Sequence, residues 1–184
     1  CRESISLRYP AVEFLTAATL TLFFWRMGLS TDPLTMSGAV LLVGLLALVF
    51  FDVMALWLPD VITMPLIVLA VARSAVGGVP VLRDALVAGF ILAGAFGILY
   101  VVSGRRWIGF GDVKLVFLIG LLFGYPIAPL AVLAGIWTAA FTGIVLMILR
   151  RATLKTALPL GAFLAGAAIV ALMFFHEISL FIKS

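Results

Sequence analysis

Two aspartates at the edges of long apolar runs are the residues of this sequence with the clearest capacity for chemistry. Asp112 lies in the hexapeptide GFGDVK (109–114) and opens the apolar run VKLVFLIGLLFG. Asp52 lies inside the run LLALVFFDVMALWL. A carboxylate within or beside a membrane segment is costly in free energy, so each of the two aspartates is a candidate functional residue.

Each aspartate also has a structural interpretation. Asp112 precedes an apolar segment, and an aspartate in that position caps the free N–H groups of a helix N-terminus and interacts favourably with its dipole. Asp52 is equally compatible with a buried ion pair, for instance with Lys114 or Arg105, because buried charges in membranes are commonly paired. The two residues taken separately leave these alternatives open.

Taken as a pair, the two aspartates indicate a specific reaction. Two carboxylates a few ångströms apart cannot both ionise cheaply, so they share one proton and provide one acid and one base. Such a pair activates a water and protonates a leaving amine, which is the chemistry of an aspartic protease. Gly109 and Gly111 fit this function, because glycines let a substrate strand approach the backbone closely.

The composition defines the class of protein. The chain has 184 residues, of which 65% are hydrophobic and 11% charged, with a mean hydropathy of +1.33. Soluble domains are much less apolar, so we predict a single integral membrane domain over 1–184. It should be an all-α, polytopic helical bundle, since helices satisfy their own backbone in lipid and no barrel-like alternation occurs. The net charge of +4 forms no single basic face, so the expected surroundings are membrane lipid and no nucleic-acid partner.

Seven apolar segments are long enough, or nearly so, to cross a bilayer. They cover residues 10–28, 34–57, 61–79, 84–103, 112–126, 128–149 and 159–182, and the breaks between them contain Gly or Pro. About seven transmembrane helices are therefore expected, with short connections that make neighbouring helices antiparallel.

The distribution of Lys and Arg gives the orientation. One side of the membrane receives Arg2, Arg8, Arg105, Arg106, Lys114, Arg150, Arg151 and Lys155, and the other receives Arg26, Arg73, Arg83 and Lys183. The richer side is predicted to be cytoplasmic, together with the N-terminus. Asp52 near the end of the second span and Asp112 at the start of the fifth are then both on the cytoplasmic side at a similar depth.

Four segments in order resemble one family of proteases. GFGDVK is similar to the GxGD motif of membrane aspartyl proteases, with the following lysine that marks prepilin peptidases. Three further segments resemble other parts of that family. The first-aspartate region is matched by FFDVMALWLPDVITMPL (50–66), and the entry to the membrane domain by ISLRYPAVE (5–13). The C-terminal stretch is matched by LPLGAFLA (158–165). The chain thus resembles the bacterial type IV prepilin leader peptidases, which serve type IV pili or type II secretion.

The resemblance implies roles for individual residues. Asp52 and Asp112 would be catalytic, and substrate-binding or supporting roles would fall to Asp60, Gly109, Gly111, Lys114 and Glu13. Two of these roles have alternatives. Lys114 either biases the shared proton or extends to the membrane interface. Glu13, within the first span, either makes an interhelical hydrogen bond or lines the substrate cleft, and the first is favoured because polar groups in spans usually find a partner.

The resemblance also implies an activity and a location. The protein would cleave the basic leader from prepilins or pseudopilins at the cytoplasmic face of the bacterial inner membrane, with no cofactor and no metal for this peptidase activity. Family members often carry a cytoplasmic domain with two CxxC pairs and a second, N-methyltransferase activity. Since Cys1 is the only cysteine, the chain looks like the catalytic portion of a longer enzyme, and a natural short form without the cysteine domain is the alternative. Zinc or S-adenosylmethionine would belong with the missing N-terminal helix and domain.

Two other functions remain as alternatives. A related GxGD protease with another membrane substrate is the closer one. A proton-coupled transporter or channel, with Asp52 and Asp112 as a relay, belongs to a different class. It would favour carboxylates near the middle of the bilayer and inverted repeats, neither of which the sequence contains.

Overall fold

Seven α-helices make up the fold of the described part of the chain. The structure is a computed structural model that describes residues 8–153, 156–175 and 177–178. Within that part of the chain the helices are α1 Arg8–Met27, α2 Pro33–Ala55, α3 Asp60–Val76, α4 Val79–Val102, α5 Phe110–Phe123, α6 Ile127–Ile148 and α7 Leu160–Met173. No strand occurs among the described residues, so the prediction of an all-α fold is confirmed.

The helices follow the predicted spans closely. The largest difference is at α4, which begins at Val79 instead of 84. Helix α5 begins at Phe110 instead of 112 and ends at Phe123 instead of 126, and the predicted end of α7 at 182 lies outside the described residues. Arg2, Lys155 and Lys183, used for the orientation, also lie outside them. Three helices, α2, α4 and α6, are long and apolar enough to cross a membrane, and α7 is a shorter apolar helix. The chain therefore has the character of a membrane protein, while the count of seven spans and the side of the N-terminus stay predictions.

Local signals in the sequence explain the helix ends that matter for the site. Asp32 caps α2 by accepting a hydrogen bond from the backbone N of Thr35 at 2.8 Å, and Pro33 occupies the first helical position, where its missing N–H costs nothing. At the other end of α2, Leu56 adopts a left-handed conformation with φ 51°. This turns the chain sharply out of α2 and into the short loop before α3.

Helix α5 lies at the centre of the bundle. It packs against α3, α4, α6 and α7, and most of its residues between Val113 and Phe123 are buried. Helix α2 packs mainly against α7 and α3, whereas α1 packs mainly against α2 at the edge of the bundle. Since α2 and α5 both contact α7, these three helices can bring side chains distant in sequence to one place.

The contact between α4 and α5 depends on a pair of glycines. A methyl group built on Gly120 would overlap the backbone of Gly89, so the two helices approach more closely than any larger residue permits. We expect Gly120→Ala to lower the free energy of unfolding by about 1–3 kcal/mol, the usual cost of overpacking, as measured by thermal unfolding in detergent. Gly97→Ala in α4 is the matched control, because nothing lies within 4 Å of a methyl group there. An unchanged stability of Gly120→Ala would contradict this packing.

Candidate active site

Asp52 is held by the N-terminus of another helix. It lies in the last turn of α2 with 5% of its surface exposed, and its Oδ2 accepts a hydrogen bond from the backbone N of Ala162 at 2.7 Å. Ala162 is in the first turn of α7, where N–H groups lack carbonyl acceptors within the α-helix and bind anionic groups readily. The start of α7 therefore fixes the position of this carboxylate.

Asp112 is positioned by its own helix. It is the third residue of α5, and its Oδ2 accepts a hydrogen bond from the backbone N of Gly109, the residue that precedes the helix, at 3.0 Å. The capping interpretation is therefore confirmed. It does not exclude a functional one, because the second oxygen, Oδ1, faces α7 near Gly161.

Gly161 is the point where the two aspartates meet. A methyl group built on it would lie 3.0 Å from Oδ2 of Asp52 and 3.1 Å from Oδ1 of Asp112. Since both oxygens are within 3.1 Å of one point, they are no more than twice that distance apart. Glycine at 161 thus leaves free the space between the two carboxylates, and the meeting of these aspartates predicted from the sequence is present in the structure.

Leu58, in the loop between α2 and α3, closes one wall of this space. The side chain is buried and fits against two glycines. A methyl group on Gly111 would lie 3.0 Å from Cβ of Leu58, and a methyl group on Gly161 would lie 3.0 Å from its Cδ1. Gly111 is therefore needed for close packing against Leu58 beside the aspartates, in addition to any contact with a substrate.

Both aspartates line one cleft of about 270 Å³. The other residues around it are Leu56, Trp57, Leu58, Asp60, Gly109, Phe110, Gly111 and Lys114. Trp57 and Phe110 are both more than half exposed, so the cleft has aromatic walls and a polar floor. A substrate entering it would meet both carboxylates.

The cations near the site do not pair with the aspartates. Lys114 forms an ion pair with Asp60, the first residue of α3, and its Nζ lies 5.0 Å from the centre of the Phe110 ring. Arg105 lies over the ring of Tyr100, 5.8 Å from its centre. Among the described residues Asp52 therefore has a backbone N–H as its partner, and the alternative of an ion pair with either cation is wrong.

Glu13 is not brought to the site by any described contact. It is exposed on α1, and within the described part of the chain it has no hydrogen bond to another helix. The favoured interpretation of Glu13 as an interhelical hydrogen-bonding residue is therefore wrong for these helices, since α1 lies at the edge and leaves most of its surface uncovered. A role in a substrate cleft stays a prediction.

Sequence reasoning missed Gly161 and Ala162 as parts of the site. The segment LPLGAFLA was noticed only for its resemblance. The pattern of this segment does indicate a binding site for an anionic group. Pro159 precedes a helix whose first turn contains the small residues Gly161 and Ala162, and such a turn leaves its N–H groups accessible to a close partner. Nothing in the sequence indicated that this partner is Asp52, 110 residues away.

The fold and the site together define a class: a helical membrane protein in which α2, α5 and α7 bring two carboxylates to one end of the bundle. Comparison with known proteins agrees with this class. A family model described as the type IV leader peptidase family matches residues 39–144, more than half of the chain. The chain belongs to the type IV leader peptidase family, as the motifs around the two aspartates predicted.

Individual relatives agree with the assignment. The chain is 34% identical over 185 residues to a protein of Pseudomonas aeruginosa named prepilin leader peptidase/N-methyltransferase, covering 97% of the chain and 62% of the relative. Proteins of the same name from Stutzerimonas stutzeri and Neisseria gonorrhoeae are each 34% identical to it, over 97% and 82% of the chain and 63% and 52% of the relative. The chain thus spans less than two thirds of the length of these relatives. No solved structure gives a significant match.

Proposed function

We propose that this chain is a membrane aspartyl endopeptidase that removes the basic leader from type IV prepilins or from pseudopilins of type II secretion. The observation that carries the proposal is the convergence of Asp52 and Asp112 on Gly161 within one cleft. Membership of the type IV leader peptidase family and the names of the relatives support the choice of substrate.

The geometry is compatible with one carboxylate acting as the general base and the other as the general acid. A pair of opposed carboxylates keeps one proton between them. The ionised member would take a proton from a water lying between the two, and that water would attack the carbonyl carbon of the scissile peptide bond. The protonated member would donate its proton to the carbonyl oxygen. As the tetrahedral intermediate collapses, the proton taken from the water would pass to the leaving amine, and the hydroxyl would return its proton to the second carboxylate, which restores the shared proton. The N–H of Ala162 keeps Asp52 oriented throughout these steps.

The location of the site fits a substrate with a short basic leader and a hydrophobic helix. Asp52 is in the last turn of α2, and Asp112 is in the first turn of α5. We propose that this end of the bundle faces the cytoplasm of a bacterial inner membrane, as the excess of Lys and Arg on that side indicates. The substrate helix would remain in the lipid, and the extended leader would enter the cleft.

The proposed reaction uses side chains of this chain alone. The described residues contain no group of three or more His, Cys, Asp or Glu that could hold a metal ion, so these residues do not fit a zinc site. The relatives' names include N-methyltransferase, and S-adenosylmethionine would be the methyl donor for such a step. We assign neither cofactor to a residue of this chain.

The proton-relay function is not supported. A relay favours carboxylates near the middle of the bilayer, whereas both aspartates lie at helix ends. The family that the chain matches is one of peptidases.

A cleavage assay tests the proposed function. The purified chain is placed in proteoliposomes with a prepilin that contains its leader and hydrophobic helix, and the products are identified by mass spectrometry. We expect two products whose masses add to that of the substrate plus one water, cut at the junction of leader and helix. The Pseudomonas aeruginosa relative under the same conditions is the positive control. No cleavage of any prepilin or pseudopilin that the relative cleaves would overturn the proposal.

The ion pair between Lys114 and Asp60 gives a prediction about its role. If Lys114 acts through Asp60, Lys114→Met and Asp60→Asn should each lower kcat/KM by up to about fivefold, because a partly exposed ion pair contributes about 1 kcal/mol. The double variant should be no slower than either single variant, because both substitutions remove the same interaction. The measurement is a double-mutant cycle on the cleavage rate. If Lys114→Met slows the Asp60→Asn variant by the same factor as it slows the unchanged protein, Lys114 acts on Asp52 and Asp112 directly. That result would disprove the coupling between Lys114 and Asp60.

A further inference from the structure

The end of the bundle opposite the aspartates contains a second and larger cavity, of about 500 Å³. It lies among the C-terminal ends of α1, α3, α5 and α7 and the N-terminal end of α2. Asp32, at its edge, precedes Asp52 by 20 residues along α2, so the two ends are about 30 Å apart at 1.5 Å per residue. This cavity is therefore separate from the cleft described above.

Apolar side chains form most of the cavity wall. They include Phe23, Leu122, Phe123, Leu172 and Phe175. Such a wall suits a hydrocarbon chain better than water. The cavity begins at Asp32, which is the residue before the first helix long enough to span a membrane. If α2 spans the bilayer, a cavity at its start would lie at the depth where lipid headgroups meet acyl chains.

Two opposite charges face this cavity without forming a salt bridge. Asp32 and Arg73 both line it and interact electrostatically, yet the ion pairs within 4.0 Å among the described residues are Arg26 with Glu177 and Lys114 with Asp60. Arg26, the other cation at this end of α1, is therefore already paired. The two charges therefore stay separate at the wall of one cavity, and a ligand that carries both an anionic and a cationic group complements them.

Both charges are held in place by the protein. The Nη1 of Arg73 donates to the backbone O of Leu34 and, at 2.8 Å, to Oγ of Ser37. A guanidinium has five N–H groups, so donors remain for a phosphate. Hydrogen bonds from the hydroxyl of Ser30 and from the backbone N of Thr35 lower the pKa of Asp32 to about 2, and this carboxylate is ionised at every physiological pH.

We propose that this cavity binds a phospholipid whose headgroup carries both a phosphate and a primary ammonium, as in phosphatidylethanolamine. Arg73 binds the phosphate, Asp32 binds the ammonium, and one acyl chain lies along the apolar wall. An anionic lipid without the ammonium could still place its phosphate on Arg73, but it would have no cationic group to pair with Asp32. The inference does not depend on the proposed protease activity, since it concerns the opposite end of the bundle.

The test compares two lipids with the same acyl chains. The delipidated protein in detergent is titrated with phosphatidylethanolamine or phosphatidylglycerol, and bound lipids are counted by native mass spectrometry. We expect one saturable site that prefers phosphatidylethanolamine by about threefold to fivefold, the size of effect that one exposed ion pair contributes. Equal affinity for the two lipids, or the absence of a saturable site for phosphatidylethanolamine, would overturn the proposal.

Variants separate the two charges. Asp32→Asn should remove the preference while keeping the helix cap, because asparagine caps as well as aspartate. Arg73→Gln should weaken the binding of both lipids. Arg73→Lys retains the charge and should keep most of the binding, so it replaces Arg73→Gln in the comparison if that variant is unstable. The matched control is Arg83→Gln, an exposed arginine near the start of α4, for which the preference should not change. If the Asp32→Asn protein keeps the same preference for phosphatidylethanolamine as the unchanged protein, the assignment of the ammonium to Asp32 is wrong.

Discussion

Gly161→Ala is expected to slow leader cleavage by about 100-fold or more. The added methyl group would lie 3.0 Å from Oδ2 of Asp52 and 3.1 Å from Oδ1 of Asp112. It would occupy the space in which the attacking water and the scissile carbonyl must lie, and displacements of about 1 Å between reacting groups have effects of this size. The measurement is kcat for cleavage of a prepilin by the purified variant.

The control for this substitution is in the same helix. Gly166→Ala adds the same methyl group to α7 where nothing lies within 4 Å, and it should leave kcat within about twofold of the unchanged protein, as expected for a substitution without a new contact. The thermal unfolding temperature of both variants shows whether a loss of activity is a loss of fold. Wild-type kcat in a folded Gly161→Ala protein would mean that the space beside Gly161 is not where the reaction occurs.

Asp52→Asn and Asp112→Asn are each expected to reduce the cleavage rate by roughly 10⁴-fold, the loss found when a residue of a cooperating catalytic set is removed. Asparagine keeps the size of aspartate but can neither take a proton from water nor share one with a neighbouring carboxylate. The hydrogen bonds from Ala162 and Gly109 can still be accepted by the amide oxygen. The loss should therefore appear in kcat, with substrate binding largely retained.

Asp84→Asn is the matched control for the aspartate variants. Asp84 lies near the start of α4 and accepts a hydrogen bond from the backbone N of Tyr125 at 3.0 Å. An asparagine can accept this bond as well, and the residue does not line the cleft of Asp52 and Asp112. Its cleavage rate should be close to that of the unchanged protein, so that a general effect of removing a carboxylate is excluded.

Much of the helical organisation could be predicted from the sequence because its signals are local. Long apolar runs broken by Gly and Pro gave helices whose ends differ from the expected ones by a few residues in most cases. The placement of Asp52 and Asp112 on one side of the membrane also followed from local information, because both residues lie at the ends of antiparallel segments. The prediction that they act as a pair came from the chemistry expected of two carboxylates and from the resemblance to membrane aspartyl proteases.

The parts that could not be predicted depend on contacts between distant segments. Asp52 is bound by Ala162, and no local pattern tells which carboxylate an open helix N-terminus will meet. Lys114 pairs with Asp60, 54 residues earlier in the chain, and no local pattern identifies that partner. Glu13 was expected to find a partner inside the bundle, but the position of α1 at its edge is a property of the packing and not of the α1 sequence.

The most direct test of this account is single-turnover cleavage of a prepilin in proteoliposomes, with the enzyme in excess over the substrate. The unchanged protein, Asp52→Asn and Asp112→Asn are compared, and the released leader is quantified by mass spectrometry. Complete cleavage by the unchanged protein is expected, together with a rate at least roughly 10³-fold lower for each folded variant, which is a conservative limit for removal of a residue of a cooperating catalytic set. Cleavage by either variant at a rate close to that of the unchanged protein would contradict the assignment of Asp52 and Asp112 as the catalytic pair.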